Sequence, residues 1–283
     1  MARSRSGPGE GFGGRWTREK LDILQRYLNA YTTALKNQPF QLLYIDAFAG
    51  TGDVQLRASE DGTEEFLAGS ARRALEVRDR SFDRLIFIEK NESRCDQLKR
   101  LGSEYARRTV QIENAEANSY LKGLRPASNV RGVLFLDPFA TEVAMTTLAH
   151  VASLECFDTW ILFPVSAVAR LLPRSREPDE ISRKWVERLD FVYGGDSWRG
   201  LYRPDRQQNL WGSADTTRTP GISGLTRIYR ERLSEVFGQR LLADTAELRN
   251  SRGSVLFELI FCVGHPRGIG PAKNIAAHLL NNI

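Results

Sequence analysis

The sequence predicts an α/β fold built on a doubly wound, mostly parallel sheet. Five short apolar runs between residues 42 and 163 are each followed by a polar turn, and most of them by a helical pattern. Three of those runs end in an acid, at Asp46, Glu89 and Asp137. Two further apolar stretches near the C-terminus are joined only by a turn, so an antiparallel hairpin closes the sheet.

The bulk composition fits this expectation. A chain of 283 residues with 41% hydrophobic and 27% charged residues holds one large domain, or one domain with an insertion. We divide it into an Arg-, Ser- and Gly-rich disordered arm (1–14), a core (15–172), an insertion (173–224) and a return to the core (225–283). Neither a long apolar run nor an apolar signal core is present, so no membrane span is expected. The three cysteines, Cys95, Cys156 and Cys262, are scattered and odd in number. They form neither a disulfide framework nor a metal spacing, and a reducing cytoplasm is the expected compartment. A net charge of +5 permits a nucleic-acid partner without demanding one.

Thr17 is placed as the cap of a first helix, whose apolar face is Leu21, Leu24, Leu28, Tyr31 and Leu35, with Pro39 ending it. The first strand is the buried run Leu42 to Ile45. Asp46 ends it, and Ala47-Phe48-Ala49-Gly50-Thr51-Gly52 follow. The two glycines let the backbone turn sharply and approach a ligand closely. Residues 53–68 lack periodicity and serve either as a lid or as a surface loop. Gly69-Ser70 opens a helix with Ser70 as its cap. The second strand is Arg84 to Glu89, and Asn91 caps a helix over 92–101 that Gly102 stops. An acid at the end of the second strand stands where it can accept both ribose hydroxyls of an adenosine. After a third strand, 109–112, the polar run 113–118 offers Asn114 or Glu116 to an adenine amino group, or else simply starts the helix 118–124.

The fourth strand ends in Asp137-Pro138-Phe139. Parallel sheets bind ligands at the carboxyl ends of their strands, so this tripeptide faces the crevice of the glycine turn. Proline withholds an amide donor and frees the preceding carbonyl; the carboxylate accepts a second hydrogen bond, and the ring offers a stacking surface. Those are the needs of an exocyclic amine awaiting a methyl group. A helix over 141–152 and a fifth strand, 159–163, complete the alternation. In the insertion, arginines interleave with Trp185, Trp198, Tyr202 and Trp211. That pattern suits phosphate contact with base stacking, or a small satellite core with solvated Arg stems. A helix over 225–237, the hairpin 241–248 with 255–263, and a helix over 271–280 finish the chain.

Asp46 to Gly52 has the D-x-F-x-G-x-G form that resembles the S-adenosylmethionine (AdoMet) loop of class I methyltransferases. Gln55 stands where a dinucleotide fingerprint needs its third glycine, and the C-terminal hairpin departs from the all-parallel dinucleotide fold. Over nearly the whole chain, Trp16, Tyr44 to Gly52, Gly69-Ser70, Phe87 to Glu89, Phe135 to Phe139 and Asp158 to Pro164 resemble the three-Cys-motif partner protein family of bacteria and phages. The resemblance implies a Rossmann-like sheet of class I methyltransferase type, S-adenosyl-L-methionine as cofactor, and association with a separate protein carrying a three-cysteine motif.

On this reading Asp46, Phe48, Ala49, Gly50, Thr51 and Gly52 hold the methionine portion, Glu89 the ribose, and Asn114 or Glu116 the adenine. Asp137, Pro138 and Phe139 position the acceptor, expected to be a nitrogen of DNA or RNA gripped through the insertion. The single proline departs from the D/N-P-P-Y/F/W pattern of amino-methylating enzymes and weakens an adenine N6 assignment. The absence of a Pro-Cys pair excludes cytosine C5 chemistry through a thiolate. The alternative expectation is a non-catalytic Rossmann-like subunit that binds an adenosyl ligand without turnover.

Overall fold

Leu42, Leu43, Tyr44 and Ile45 are all buried because their strand, β1 (Gln41–Asp46), lies in the middle of a seven-stranded sheet covered on both faces. The computed structural model describes residues 15–55, 66–172, 181–204, 216–218 and 222–282. The N-terminal arm lies outside them, as does Trp211.

The other strands are β2 (Arg84–Glu89), β3 (Val110–Asn114), β4 (Val130–Leu136), β5 (Phe157–Phe163), β6 (Ala246–Arg249) and β7 (Val255–Cys262). Their order across the sheet is β6-β7-β5-β4-β1-β2-β3. β1 through β5 pair in parallel, and β7 runs antiparallel to both β5 and β6. The chain winds outward through β2 and β3, then returns to place β4 on the other side of β1. In sheets wound this way the reversal marks the carboxyl ends of the two flanking strands, here β1 and β4, as the ligand-binding edge.

One face of the sheet packs α1 (Arg15–Ala34), α2 (Ser70–Leu75), α3 (Glu92–Glu104) and α9 (Ile269–Leu280) against Tyr44, Phe87, Phe135, Trp160 and Phe261. The other packs α4 (Ala117–Lys122), α5 (Met145–Ser153), α6 (Val165–Leu171), α7 (Arg183–Tyr193) and α8 (Ile222–Phe237) against Leu43, Ile45, Leu136 and Phe163. The doubly wound, Rossmann-like sheet with its antiparallel closing strand is the architecture the sequence predicts.

Several boundaries differ, each for a local reason. Thr17 lies inside α1 and is buried, so it is not a cap. α1 ends at Ala34, and Arg80 donates to the carbonyls of Leu35 and Phe40 in the segment that follows, at 2.6 and 2.7 Å. Ser70 is the first helical residue of α2, with Gly69 at the cap position. Gly102 does not stop α3; it lets the helix pass close to Val110, whose Cγ1 would lie 3.4 Å from an added Cβ. Residues 141–144 stay outside α5 because the Ala144 amide donates to the Asn118 side chain at 2.9 Å. Helix α6 follows Pro164 directly. The first hairpin strand shrinks to β6, with Leu241 contributing a lone bridge to Cys262. Asp53–Gln55 and Phe66–Ala68 pair as a short antiparallel ribbon, so the ends of the expected loop are strands.

Candidate functional site

The glycine turn is strung between both neighbours of β1. The Ala47 amide donates to the Phe135 carbonyl on β4, and the Ala49 amide to the Ile88 carbonyl on β2, both at 3.1 Å. Gly50 and Gly52 adopt φ of 62° and 86°, the left-handed region that glycine enters without steric cost. Gly52 is also required by space, because an added Cβ would sit 2.3 Å from Leu101 Cδ2 on α3. At Gly50 an added Cβ would meet nothing within 4 Å among the described residues.

Strand register brings four polar tips to one face. Asp46 pairs with Phe87 and with Phe135, which puts Glu89 and Asp137 each two residues further along on the same side. Asn114 pairs with Glu89. All four project toward the layer of α1, α2 and α3.

Asp46 is fully buried, yet only one of its oxygens is satisfied. Oδ1 accepts from the Phe48 amide at 3.2 Å, whereas Oδ2 has no partner of hydrogen-bond geometry. Burial pushes this carboxyl up to about 7, with Asp137 adding to the rise while Ser70, the Phe48 amide and Lys20 oppose it. The buried Tyr44 hydroxyl lies beside the carboxylate and is likewise without a partner, its pKa raised first by burial and then by Asp46. A buried acid left half satisfied is uncommon in protein interiors and marks a place where a ligand donor fits.

Asp137 forms an ion pair with Lys20 of α1, a residue 117 positions away in sequence. Lys20 is buried, and its ammonium stands 4.8 Å from the centre of the Trp16 ring. Sequence reasoning passed over Lys20. The available signal was a lysine on the helix stripe that also carries Leu24, Tyr27 and Leu28.

Glu89 is buried, with Oε1 accepting from the Asn91 amide at 2.8 Å and Oε2 3.7 Å from Arg94. The Asn114 side chain donates back to the Glu89 carbonyl at 3.0 Å. Glu116 caps α4, accepting from the amides of Asn118 and Ser119 at 3.0 and 2.8 Å. Partial burial raises its carboxyl, but those amide hydrogen bonds outweigh burial and leave it below its ordinary value. Of the two residues expected to meet an adenine, Asn114 therefore sits beside Glu89 on the crevice face, while the carboxylate of Glu116 is engaged by its own helix.

Pro138 is buried behind an exposed Phe139. The Phe139 amide donates to Glu142 at 3.0 Å, and Glu142 pairs with Lys90 at 2.6 Å. Lys90 follows β2 and Glu142 follows β4, so their pair ties together the two strands that flank β1. Arg188 of α7 donates to the Thr141 carbonyl at 3.2 Å, which docks α7 beside this turn. Trp185 lies one helical turn away on α7. Among the described residues, Phe139 at 73% and Trp185 at 37% are the exposed large apolar side chains. Trp198 and Tyr202, by contrast, are buried in the main core, and Trp198 Nε1 donates to Asp190 at 2.7 Å. Those two aromatics thus build core rather than a stacking surface.

Among the described residues no cluster of His, Cys, Asp and Glu could hold a metal ion, and no helix is long and apolar enough to cross a membrane. All three thiols are buried, and burial pushes Cys156 up to about 12, which disfavours the thiolate a nucleophile needs.

No family model matches this sequence, and no curated protein does. Solved structures do. Protein LPL1258 from Legionella pneumophila is 12% identical, with a TM-score of 0.55 over 97% of this chain and 93% of that one. Trm1 from Pyrococcus horikoshii, solved with S-adenosyl-L-methionine, is 11% identical, with a TM-score of 0.41 over 92% of this chain and 58% of that one. TYW2 from M. jannaschii, in complex with AdoMet, is 8% identical, with a TM-score of 0.38 over 88% of this chain and 75% of that one. At 12% identity the likeness to LPL1258 concerns the fold alone.

Proposed function

We propose that this chain is an S-adenosylmethionine-dependent methyltransferase acting on a nitrogen of nucleic acid, and that it works with a separate three-cysteine-motif partner protein. The observation that carries the cofactor assignment is Asp46 Oδ2, a buried and unsatisfied acceptor at the start of the turn that leads to Gly50, where an added Cβ would meet no described atom within 4 Å. An α-ammonium group, an adenosyl ribose and a sulfonium all suit a pocket ringed by buried carboxylates and free of a phosphate-binding third glycine. Asp46 and the turn through Gly52 would hold the methionine portion, and Glu89 the ribose hydroxyls. Asn114 would line the adenine side. When bound, the cofactor supplies an electrophilic methyl group.

The chain's own part in the chemistry is orientation. Asp137 and the carbonyls of the Asp137–Phe139 turn would accept hydrogen bonds from the acceptor amine and aim its lone pair, and Phe139 would stack on the ring that carries it. A neutral exocyclic amine needs no strong base, which fits a site with no catalytic histidine or thiolate among the described residues. Arg183, Lys184 and Arg188 flank Trp185 on the exposed side of α7, beside the Phe139 turn. This face supports a nucleic-acid acceptor through phosphate contact and base stacking. The partner protein and the family itself rest on the sequence resemblance.

The Lys20–Asp137 ion pair favours a second reading, in which the chain binds the cofactor without turnover and serves its partner as a specificity subunit. Transfer of tritiated methyl groups to total nucleic acid from cells lacking the protein, with and without the partner, decides between them. Incorporation that falls at least a hundredfold in Asp137→Ala supports the enzyme; none by the wild type with partner present supports the subunit.

A further inference from the structure

Lys20 occupies an unusual place. It lies on the buried stripe of α1, 6% exposed, among residues that otherwise pack apolar surface against the sheet. A buried ammonium is costly unless it is paired and hydrogen-bonded. Its salt-bridge partner is Asp137, the Trp16 ring backs it, and Asp46 lies close enough to feel its charge. One cation thus pairs with the carboxylate at the end of β4 and lies within electrostatic reach of the acid at the end of β1. A lysine ammonium has three donors, so the Asp137 contact need not be its last. Among the described residues, the other cations placed at these strand ends are already committed, Lys90 to Glu142 and Arg94 to Glu89.

An amino-acid-bearing adenosyl cofactor has one negative group, its carboxylate. We propose that Lys20 is shared between Asp137 and that carboxylate, so that cofactor binding loosens the hold of Lys20 on Asp137 and frees Asp137 for the acceptor. This rests on the methyltransferase reading above and adds an order to it. With no cofactor, Asp137 is masked by an ammonium and accepts an amine poorly; with cofactor in place, the ammonium has a second anion to serve. Lys20 is a positioning residue in this account, acting on the acceptor through Asp137. Equally, Asp137 competes with the cofactor carboxylate for Lys20, so removing the charge of Asp137 improves cofactor binding.

Titration calorimetry of the full chain tests this with two ligands. S-adenosylhomocysteine (AdoHcy) keeps the amino-acid carboxylate, and 5′-methylthioadenosine lacks the amino acid entirely; neither carries the sulfonium charge that Asp137 would attract. Wild type should prefer AdoHcy by about 10- to 100-fold, the scale of a hydrogen bond to a charged group. Lys20→Met, which keeps the chain length against Trp16, should narrow that preference several-fold, leaving the part that Asp46 supplies through the cofactor's ammonium, and Lys20→Arg should restore it. Asp137→Asn should tighten AdoHcy several-fold while leaving 5′-methylthioadenosine unchanged, and this gain should vanish in the Lys20→Met background. Asp137→Asn weakening both ligands alike, or Lys20→Met keeping the full wild-type preference, would overturn the sharing while leaving the cofactor assignment intact. Should Lys20→Met not fold, the wild type and Asp137→Asn alone still decide the matter. A wild type that binds neither ligand overturns both this inference and the methyltransferase reading.

Discussion

Two buried aspartates lie on the same face of the same sheet, the face that helix α1 covers. Asp158, at the amino end of β5, accepts from the Tyr27 hydroxyl at 2.6 Å and from the Gly264 amide at 2.7 Å. Asp46, at the carboxyl end of β1, has one amide on one oxygen and nothing on the other. Burial raises both, Asp158 to about 6 and Asp46 to about 7. The difference lies in what surrounds them. Around Asp158 the chain is closed: Gly264 has no room for a Cβ, which would fall 2.4 Å from the Phe157 carbonyl carbon. Four residues after Asp46, at Gly50, an added Cβ would meet nothing within 4 Å among the described residues. A satisfied buried acid fastens the fold, here tying α1 and the end of β7 to β5; an unsatisfied one awaits a ligand. Tyr27 and Lys20, seven residues apart on α1, serve the two ends respectively.

Mutation should separate these ends, and the largest effect is on chemistry. Asp137→Ala should abolish methyl transfer, by at least a hundredfold in the folded protein, and it should also cost stability because the buried Lys20 ammonium loses its partner; equal incorporation by wild type and variant would remove Asp137 from the reaction. Asp158→Ala should act on stability alone. Leaving the Tyr27 hydroxyl and the Gly264 amide without an acceptor should cost about 2–4 kcal/mol in urea unfolding, with cofactor affinity of the folded fraction unchanged. A loss of affinity there without loss of stability would merge the two ends into one site.

Glu89→Ala should weaken AdoHcy by about 1.5–3 kcal/mol, the scale of a hydrogen bond to a charged group. Unchanged affinity in the folded variant would take Glu89 out of the pocket. The pH dependence of stability gives a smaller signal. A carboxyl whose pKa is raised on folding contributes stability that is fully present below its unfolded value, 3.8, and lost as pH rises through its folded value, about 7 for Asp46. Asp46→Asn should therefore flatten the decline of stability between about pH 4 and 7 relative to wild type, and it should weaken AdoHcy binding at the same time. Urea midpoints measured across that range check the first half. A variant curve parallel to the wild type would mean that Asp46 is not the strained group.

The sheet and its acids were legible because burial on both faces leaves a simple trace, a short apolar run ended by a charge and a turn. Asp46, Glu89 and Asp137 follow from that trace alone, and strand register then sets them on one face. Lys20 was not legible in the same way, since its partner is distant and a lysine inside a helix reads by default as solvated. The insertion shows a second limit. Alternating arginine and tryptophan is the same pattern whether the rings face solvent or core, and only tertiary packing separates the buried Trp198 from the exposed Trp185. Helix α6 was missed because Pro164 reads as the end of a strand, although proline at a helix start is equally well tolerated.

If the acid-lined end of the sheet holds an adenosyl cofactor, as proposed, calorimetry of the wild-type chain with AdoHcy and with NAD should separate the two ligands. Saturable binding of AdoHcy is expected at one site per chain, lost or weakened in both Asp46→Asn and Glu89→Ala, with no binding of NAD. Preference for NAD, or no heat from AdoHcy with a folded protein, would contradict it.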